Sequence, residues 1–306
     1  MSRVIVFGSL NMDLSIACDR PPLAGETITG RDLVMGAGGK GANQAVAAAR
    51  LGARTCMIGA VGTNAFGREL SGGLAADGID TRELVCTGAA PTGIALIVRS
   101  GGDNRIIVEP GANHVLTAED ARAALDRVAQ PGDIFVTQLE CALDATLAAL
   151  AHARAMGLAT IFNPAPACPL PDDTWGYVDV LCLNETECAA YTGVLPEDEE
   201  TVAAAMAVLA ELGAGNVVIT RGAAGSDVRD ARSGTIHHIP ARMVEAVDTT
   251  AAGDTYVGAL AAALADGCGL ADAAHRATFA AALAVQAAGA QASIPTLAQL
   301  EAALDA

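Results

Sequence analysis

The chain has 306 residues, of which 52% are hydrophobic and 3% aromatic, and its formal net charge is −17. At roughly 150 residues per domain this length allows one large domain or two small ones, and the apolar content excludes a disordered chain. The acidic excess argues against binding to nucleic acid or to an anionic membrane, because both need a surplus of Lys and Arg. All but one of the 18 basic residues are Arg, and the exception is Lys40.

No segment predicts a membrane span or an exported chain. The apolar run 256–265 is too short to cross a bilayer, and residues 1–8 are typical of a strand rather than a secretory signal. The eight cysteines form no C-x-x-C pair, which favours reduced thiols over a metal site. We therefore expect a cytoplasmic protein.

Short apolar runs alternate with Ala-rich helical patterns along the chain. The predicted strands are 4–7, 54–58, 134–137, 160–162, 180–183 and 217–220. The predicted helices are 41–51, 66–76, 118–128, 143–156 and 201–212. Four of the helices end at a glycine, as helices commonly do: Gly52, Gly78, Gly157 and Gly213. This alternation predicts an α/β fold with a parallel sheet and helices on both of its faces.

Two stretches depart from the alternation. Residues 14–34 hold strand-like pieces separated by prolines and glycines, and residues 92–109 have the pattern of a hairpin turned at 101–104. We predict that together they form a small antiparallel sheet outside the main sheet, such as a lid. One apolar face of such a sheet would need a ligand or a partner to cover it.

A glycine-rich segment over residues 36–44 contains G-x-G-x-x-G and the only lysine. No acidic residue follows about 20 positions later, and Gly41 stands after Lys40 where a P-loop needs Ser or Thr, so neither nucleotide motif fits. The segment is either a tight turn leading into a helix or a ligand site. Lys40 and Asn43 at a helix start favour a polar or anionic ligand.

A second segment, residues 248–254, joins a predicted strand over 243–247 to a long helix that starts near Gly253. Its small residues leave room around a helix N-terminus, whose free N–H groups stabilise a developing negative charge. Asp254 is placed to accept a proton from a hydroxyl group. Ordinary capping by Asp248 or Thr249 explains the same pattern, and both interpretations stay open.

Polar residues also follow several predicted strands, at the edge where open α/β sheets bind ligands. Asn184 and Glu187 follow the strand 180–183, although their spacing is also that of a capping box. Residues 220–225 suit either a flat ligand or a turn. The remaining strand-end candidates are Asn11, Asp13, Gln138 and Glu140.

Taken in this order, the motifs resemble the ribokinase-like (PfkB-type) sugar kinases from residues 8–13 to 289–295. Residues 38–47 look like the N-terminal signature of that family, and 248–254 like its second signature, with Ala252 where many members have Gly. The resemblance implies a Rossmann-like α/β domain over 1–306 with a β-sheet lid from about 14–34 and 92–109, which also forms a homodimer contact. It further implies MgATP-dependent phosphorylation of the 5-hydroxyl of D-ribose.

The resemblance also implies residue roles. Asp254 would be the base, with the N–H groups of Ala252 and Gly253 as the anion hole. The sugar would be held by Asn11, Asp13, Gly39, Lys40, Asn43 and Glu140. The ATP site would be lined by Asn184, Thr220, Gly222, Gly225 and Thr278, with Glu187 near Mg²⁺. A monovalent cation such as K⁺ would bind at Asp248, Thr250, Ala284, Ala287, Gly289 and Ser293.

Two alternatives stay open. A related kinase would act on deoxyribose, 2-keto-3-deoxygluconate, fructose or a nucleoside, although residues 14–34 contain no aromatic side chain for stacking on a nucleobase. A sugar-binding regulator would keep the fold without catalysis, but such a protein has no need of a base at Asp254.

Overall fold

The computed structural model of the chain describes residues 2–101 and 103–305. Its strands are β1 (Arg3–Phe7), β2 (Asn11–Ala17), β3 (Arg31–Gly38), β4 (Arg54–Gly62), β5 (Leu84–Thr87), β6 (Gly93–Ser100), β7 (Asp103–Glu109), β8 (Ile134–Thr137), β9 (Ala159–Phe162), β10 (Val180–Asn184), β11 (Asn216–Thr220), β12 (Ser226–Arg229) and β13 (Ile236–Ile239). Its α-helices are α1 (Lys40–Arg50), α2 (Ala65–Ala76), α3 (Ala118–Val128), α4 (Leu143–Ala155), α5 (Glu185–Thr192), α6 (Glu199–Glu211), α7 (Ala252–Ala265), α8 (Leu270–Ala284) and α9 (Leu297–Leu304).

The large sheet has the strand order β13-β12-β11-β10-β9-β8-β1-β4-β5. The strands from β11 to β5 are parallel, and β12 and β13 are antiparallel additions at one edge. Alternate side chains enter two cores: Val4 and Val6 pack under α1, α2, α7, α8 and α9, whereas Ile5 and Phe7 pack under α3 to α6. The predicted mostly parallel sheet with helices on both faces is confirmed.

Local signals located most helix ends correctly. The four predicted terminal glycines all have positive φ, between 75° and 103°. They end helices that match the predictions to within two residues. All eight cysteines are free thiols. Within the described ranges, no helix combines the length and apolarity needed to cross a membrane.

The predicted strand over 243–247 is wrong, because residues 241–246 have no regular structure and 247 is a bend. The apolar residues of this segment lie in a different environment. Met243 and Val247 are 84% and 65% exposed, and Met243, Val244 and Ala246 line a cavity instead of joining a sheet.

The second sheet has four strands in the order β3-β2-β6-β7 and is hereafter the small sheet. It was predicted to be antiparallel, but β2 and β6 are parallel. The reason is the long connection: after β3 the chain crosses the large sheet through α1, β4, α2 and β5, and it re-enters alongside β2 in the same direction. The small sheet exposes a set of apolar side chains: Leu33, Val34, Met35, Leu96, Ile106, Ile107 and Val108.

Candidate active site

The glycine-rich segment brings the start of α1 onto the end of β1. Strand β3 runs to Gly38, and Gly39 turns the chain with φ of 89° before α1 begins at Lys40. A Cβ at Gly41 would lie 2.5 Å from the backbone nitrogen of Ser9, so only glycine allows this approach. The segment is therefore the junction between the small sheet and the core.

Two predicted sugar-site carboxylates lie beside this junction. Oε2 of Glu140 accepts hydrogen bonds from Oγ of Ser9 at 2.6 Å and from the backbone N–H of Lys40 at 3.1 Å. Asp13 packs on Gly38, where a Cβ would come within 2.3 Å of its Oδ2. Burial raises the pKa of Asp13 to about 7, and the charges of Glu140 and Asp254 add to the rise. The nearby Asn11 accepts a hydrogen bond from Nδ2 of Asn113 at 2.7 Å through its Oδ1.

Asp254 lies in the first turn of α7, is 7% exposed, and is held by two amides of α1. Nδ2 of Asn43 donates to Oδ2 of Asp254 at 2.9 Å, and Nε2 of Gln44 donates to Oδ1 at 3.1 Å. The carboxylate of Asp254 in turn raises the pKa of Lys40, against the opposing effect of burial. Lys40 therefore carries a positive charge at neutral pH.

The turn before α7 has an unusual backbone. Ala251 has φ of 59°, so Ala251, rather than Ala252, occupies the left-handed conformation that favours glycine. The N–H of Ala252 donates to the carbonyl of Thr249 at 3.2 Å. Among the described residues, none accepts a hydrogen bond from the N–H of Gly253. Of the two predicted anion-hole donors, only Gly253 is thus free in this conformation.

A cavity of about 310 Å³ lies against the same turn. Four of the six residues predicted for the ATP site line it: Thr220, Gly222, Gly225 and Thr278. Ala252 and Gly253 line it too, whereas Asn184 and Glu187 do not. The turn from Ala252 to Asp254 therefore borders this cavity on one side and the polar cluster around Lys40 on the other.

Asn184 and Glu187 form the capping box that begins α5. Oδ1 of Asn184 accepts from the N–H of Glu187 at 2.8 Å, and Oε2 of Glu187 accepts from the N–H of Asn184 at 3.0 Å. Burial raises the pKa of Glu187. Among the described residues none bonds its second oxygen, Oε1, so capping leaves half of the carboxylate available.

The residues predicted for a monovalent cation converge in part. Asp248 accepts hydrogen bonds from the N–H and Oγ1 of Thr250, at 2.9 and 2.6 Å, and from the N–H of Gly289 at 2.9 Å. Burial alone would raise the pKa of Asp248, but these hydrogen bonds outweigh it and hold the pKa below its usual value. Ala284 ends α8 and accepts from the N–H of Ala287 at 3.3 Å, and Oγ of Ser293 donates to the carbonyl of Ala290 at 2.9 Å.

Comparison with known proteins decides the family. The profile of the pfkB family carbohydrate kinases matches residues 1–297. The chain belongs to this family. Ribokinase from Mus musculus is 40% identical over 298 residues, which cover 96% of this kinase and 92% of the mouse protein.

Solved structures agree with the fold. A ribokinase from Thermotoga maritima, 34% identical, has a TM-score of 0.88 and matches 100% of both chains. A ribokinase from Arabidopsis thaliana, solved with ribose and ATP, is 29% identical with a TM-score of 0.90 and the same full coverage. The family resemblance and the fold class inferred from the sequence are confirmed.

Sequence reasoning gave no role in the site to three polar residues of this kinase. Ser9 bonds Glu140, and Gln44 bonds both Asp254 and Asn163. Ser9 and Gln44 lie inside the segments 8–13 and 36–44, and Asn163 follows the predicted strand 160–162, but their sequence neighbours do not reveal these partners. Gln44 and Asp254 are 210 positions apart, so only the packing of α1 on α7 brings them together.

Proposed function

We propose that this kinase transfers the γ-phosphoryl group of ATP to the 5-hydroxyl of D-ribose. The observation that carries the proposal is the position of the turn from Ala252 to Asp254, between a cavity of nucleotide size and a buried polar cluster. A single turn can then contact both substrates. The similarity to ribokinases along the whole chain, including one solved with ribose and ATP, supports ribose as the acceptor.

In this proposal the polar cluster binds the sugar, and Asp254 is the base. Carboxylates and amides suit sugar hydroxyls because they accept and donate hydrogen bonds in fixed directions. The sugar would contact Asn11, Asp13, Gly39, Lys40, Asn43 and Glu140. Asp254 accepts the proton of the 5-hydroxyl while the oxygen of that hydroxyl attacks the γ-phosphorus of ATP. The bond from the γ-phosphorus to the bridging oxygen then breaks, and ADP leaves with that oxygen.

The phosphoryl group would lie at the N-terminus of α7. Free N–H groups and the positive end of the helix dipole stabilise the charge on its oxygens. Gly253 has such a free N–H. The N–H of Ala252 becomes a second donor once its hydrogen bond to the carbonyl of Thr249 opens. The Lys40 ammonium adds positive charge from the sugar side. The base and ribose of ATP would occupy the cavity lined by Thr220, Gly222, Gly225 and Thr278, with Asn184 at its edge.

Two metal ions belong to the proposal. Oε1 of Glu187 is available to hold Mg²⁺ through water, and Mg²⁺ would supply charge neutralisation for the phosphates. Asp248, kept ionised by Thr250 and Gly289, together with the carbonyls of Ala284, Ala287 and Ser293, suits a weakly hydrated cation such as K⁺. These residues fix the segment that leads into α7.

The small sheet is proposed to act as the lid and as the homodimer contact. It contributes Asn11 and Asp13 to the site, and its exposed apolar side chains, such as Leu33 and Ile107, need cover. Closure would exclude water and limit ATP hydrolysis. A cytoplasmic location, also part of the proposal, is supported by eight free thiols.

The substrate is tested by an ADP-release assay with D-ribose, deoxyribose, 2-keto-3-deoxygluconate, fructose and nucleosides, with and without K⁺. We expect D-ribose to give the highest kcat/KM. A higher value for another compound would assign the kinase to that substrate. No turnover with any of them would favour a sugar-binding regulator.

The base is tested with Asp254→Asn. We expect turnover to be abolished while calorimetry shows ATP binding largely intact, because the variant keeps the size of the side chain and loses the proton acceptor, and the side chain does not line the cavity proposed for ATP. Near-normal turnover would remove Asp254 as the base.

A further inference from the structure

A chain of buried amides runs behind Asp254, on the side away from the cavity. Nε2 of Gln138 donates to Oε1 of Gln44 at 2.6 Å, and Nε2 of Gln44 donates to both Oδ1 of Asp254 and Oδ1 of Asn163, each at 3.1 Å. Gln44 is 0% and Gln138 1% exposed. Gln44 therefore uses both of its N–H bonds and an oxygen lone pair without reaching solvent.

The direction of this chain is fixed by the main chain of β10. Nδ2 of Asn163 donates to the carbonyl oxygen of Cys182 at 2.9 Å, and a carbonyl can only accept. The Asn163 side chain must then turn its own oxygen toward Gln44. Gln44 must in turn present its NH₂ group to Asn163, and the second hydrogen of that group meets Asp254. A rotated Gln44 amide would set two acceptors against each other.

We propose that Gln44 is a positioning residue that holds the Asp254 carboxylate in the orientation needed to take the proton of the sugar hydroxyl. The inference rests on the proposed function, because it assigns no role to Gln44 apart from Asp254. With Asn43 on Oδ2 and Gln44 on Oδ1, each oxygen of Asp254 has one fixed donor. Rotation about the Cβ–Cγ bond would break both bonds, and one lone pair on each oxygen remains for substrate.

The network also has a cost that a purely structural role leaves unexplained. Oε1 of Gln138 is buried and has no partner among the described residues. A buried unpaired acceptor is destabilising, and an apolar residue of similar shape would avoid that cost. Gln138 instead contributes the hydrogen bond that occupies the oxygen of Gln44, which keeps the donor end directed at Asp254.

The test is a double-mutant cycle between Gln44→Leu and Asp254→Asn, with steady-state kinetics and calorimetric binding of ribose and ATP. Gln44→Leu alone is expected to lower kcat by about 10- to 100-fold, as for the loss of a hydrogen bond to a charged group. Both KM values should change by less than about threefold, since Gln44 touches neither substrate. In the Asp254→Asn background the same change should have little further effect on the residual rate, because it acts only through that carboxylate.

Gln44→Glu covers the case in which leucine prevents folding. It keeps the shape of the side chain and places an acceptor against Asp254, so we expect a loss of kcat at least as large. Thr55→Ala is the matched control: Thr55 is a buried polar residue whose Oγ1 donates to the carbonyl of Ala53, at the start of β4 and thus at the edge of the large sheet opposite the carboxyl ends of its parallel strands. It should lower the urea midpoint and leave kcat unchanged.

The outcomes separate the two claims. A wild-type enzyme that phosphorylates a different sugar overturns ribose as the substrate, and the cycle is then run with that sugar. Unchanged kcat in Gln44→Leu, or equal fractional losses with and without the Asp254 carboxylate, overturns the role of Gln44 while the proposed function stands. Loss of kcat in Thr55→Ala as well would assign the effect to general destabilisation and would also overturn that role.

Discussion

The close crossing of α1 and α7 sets the position of Asp254, and Gly258 makes that crossing possible. A Cβ at Gly258 would lie 2.5 Å from both the Cβ of Ala47 and the carbonyl oxygen of Gln44. Ordinary contacts begin at 3.4 Å, so Gly258→Ala requires the helices to separate by about 0.9 Å. Helix propensity alone would make this change stabilising by about 1 kcal/mol, whereas overpacking costs about 1 to 3 kcal/mol. We expect the overpacking cost to exceed the gain in helix propensity, because the carbonyl oxygen of Gln44 belongs to the main chain of α1 and cannot rotate away as a side chain could.

The same separation would stretch the bonds that hold the base. The contacts from Asn43 at 2.9 Å and from Gln44 at 3.1 Å both cross this helix pair and would exceed hydrogen-bonding distance. A misplacement of about 1 Å costs on the order of 100-fold in rate. We therefore expect Gly258→Ala to lower kcat by about 10- to 100-fold and Tm by up to about 3 °C.

Calorimetric melting and the ADP-release assay measure both effects. Gly73→Ala in α2 is the matched control, since a Cβ there would meet nothing within 4 Å. It should stabilise the protein by about 0.5 to 1 kcal/mol and leave kcat unchanged. If Gly258→Ala proves as stable and as active as the wild type, the crossing does not set the position of Asp254, and the reasoning is wrong.

Two further predictions concern the sugar side of the site. Because the pKa of Asp13 rises to about 7 from its usual 3.8, the folded protein keeps a proton that the unfolded chain releases, and this group lowers stability as pH rises from about 4 to 7. Urea unfolding should therefore show the free energy of unfolding of Asp13→Asn rising by about 2 to 4 kcal/mol relative to that of the wild type between pH 4 and pH 8. An equal pH dependence in both proteins would contradict this. Lys40→Arg should raise the sugar KM and lower kcat, because a planar guanidinium does not replace a compact ammonium in a buried cluster; unchanged kinetics would show that lysine is not required there.

The helices and strands that could be predicted from the sequence are those that a few neighbouring residues determine. Short apolar runs predicted the core strands such as β1 and β8, and terminal glycines such as Gly78 and Gly157 marked helix ends, because burial and positive φ act within a few residues. The segment 243–247 is also a short, mostly apolar run, but it lines a cavity, and no local signal distinguishes the two environments. The parallel pairing of β2 with β6 depends on a connection of some 75 residues, which is also beyond local pattern.

Candidates for the site could be chosen from the sequence only where the reason for the choice lies in the residue's own motif. Asp254 follows from its place at a helix start after small residues. Gln44 does not, because its partners Asp254, Asn163 and Gln138 come from three other elements. The capping and ligand interpretations of Glu187 are compatible in the structure, since the capping box uses only one of its carboxylate oxygens.

The lone lysine gives the protein a single ε-amine, and the negative charge of Asp254 favours its protonated form by raising the pKa of Lys40. Acylating reagents attack only the neutral amine. A raised pKa lowers the neutral fraction of the ε-amine, so its acylation should be slower in the folded protein than in the denatured chain. Peptide mapping of the Lys40 adduct over time would measure that difference in rate. The composition of the chain thus allows one lysine-specific label to report on the proposed sugar site alone.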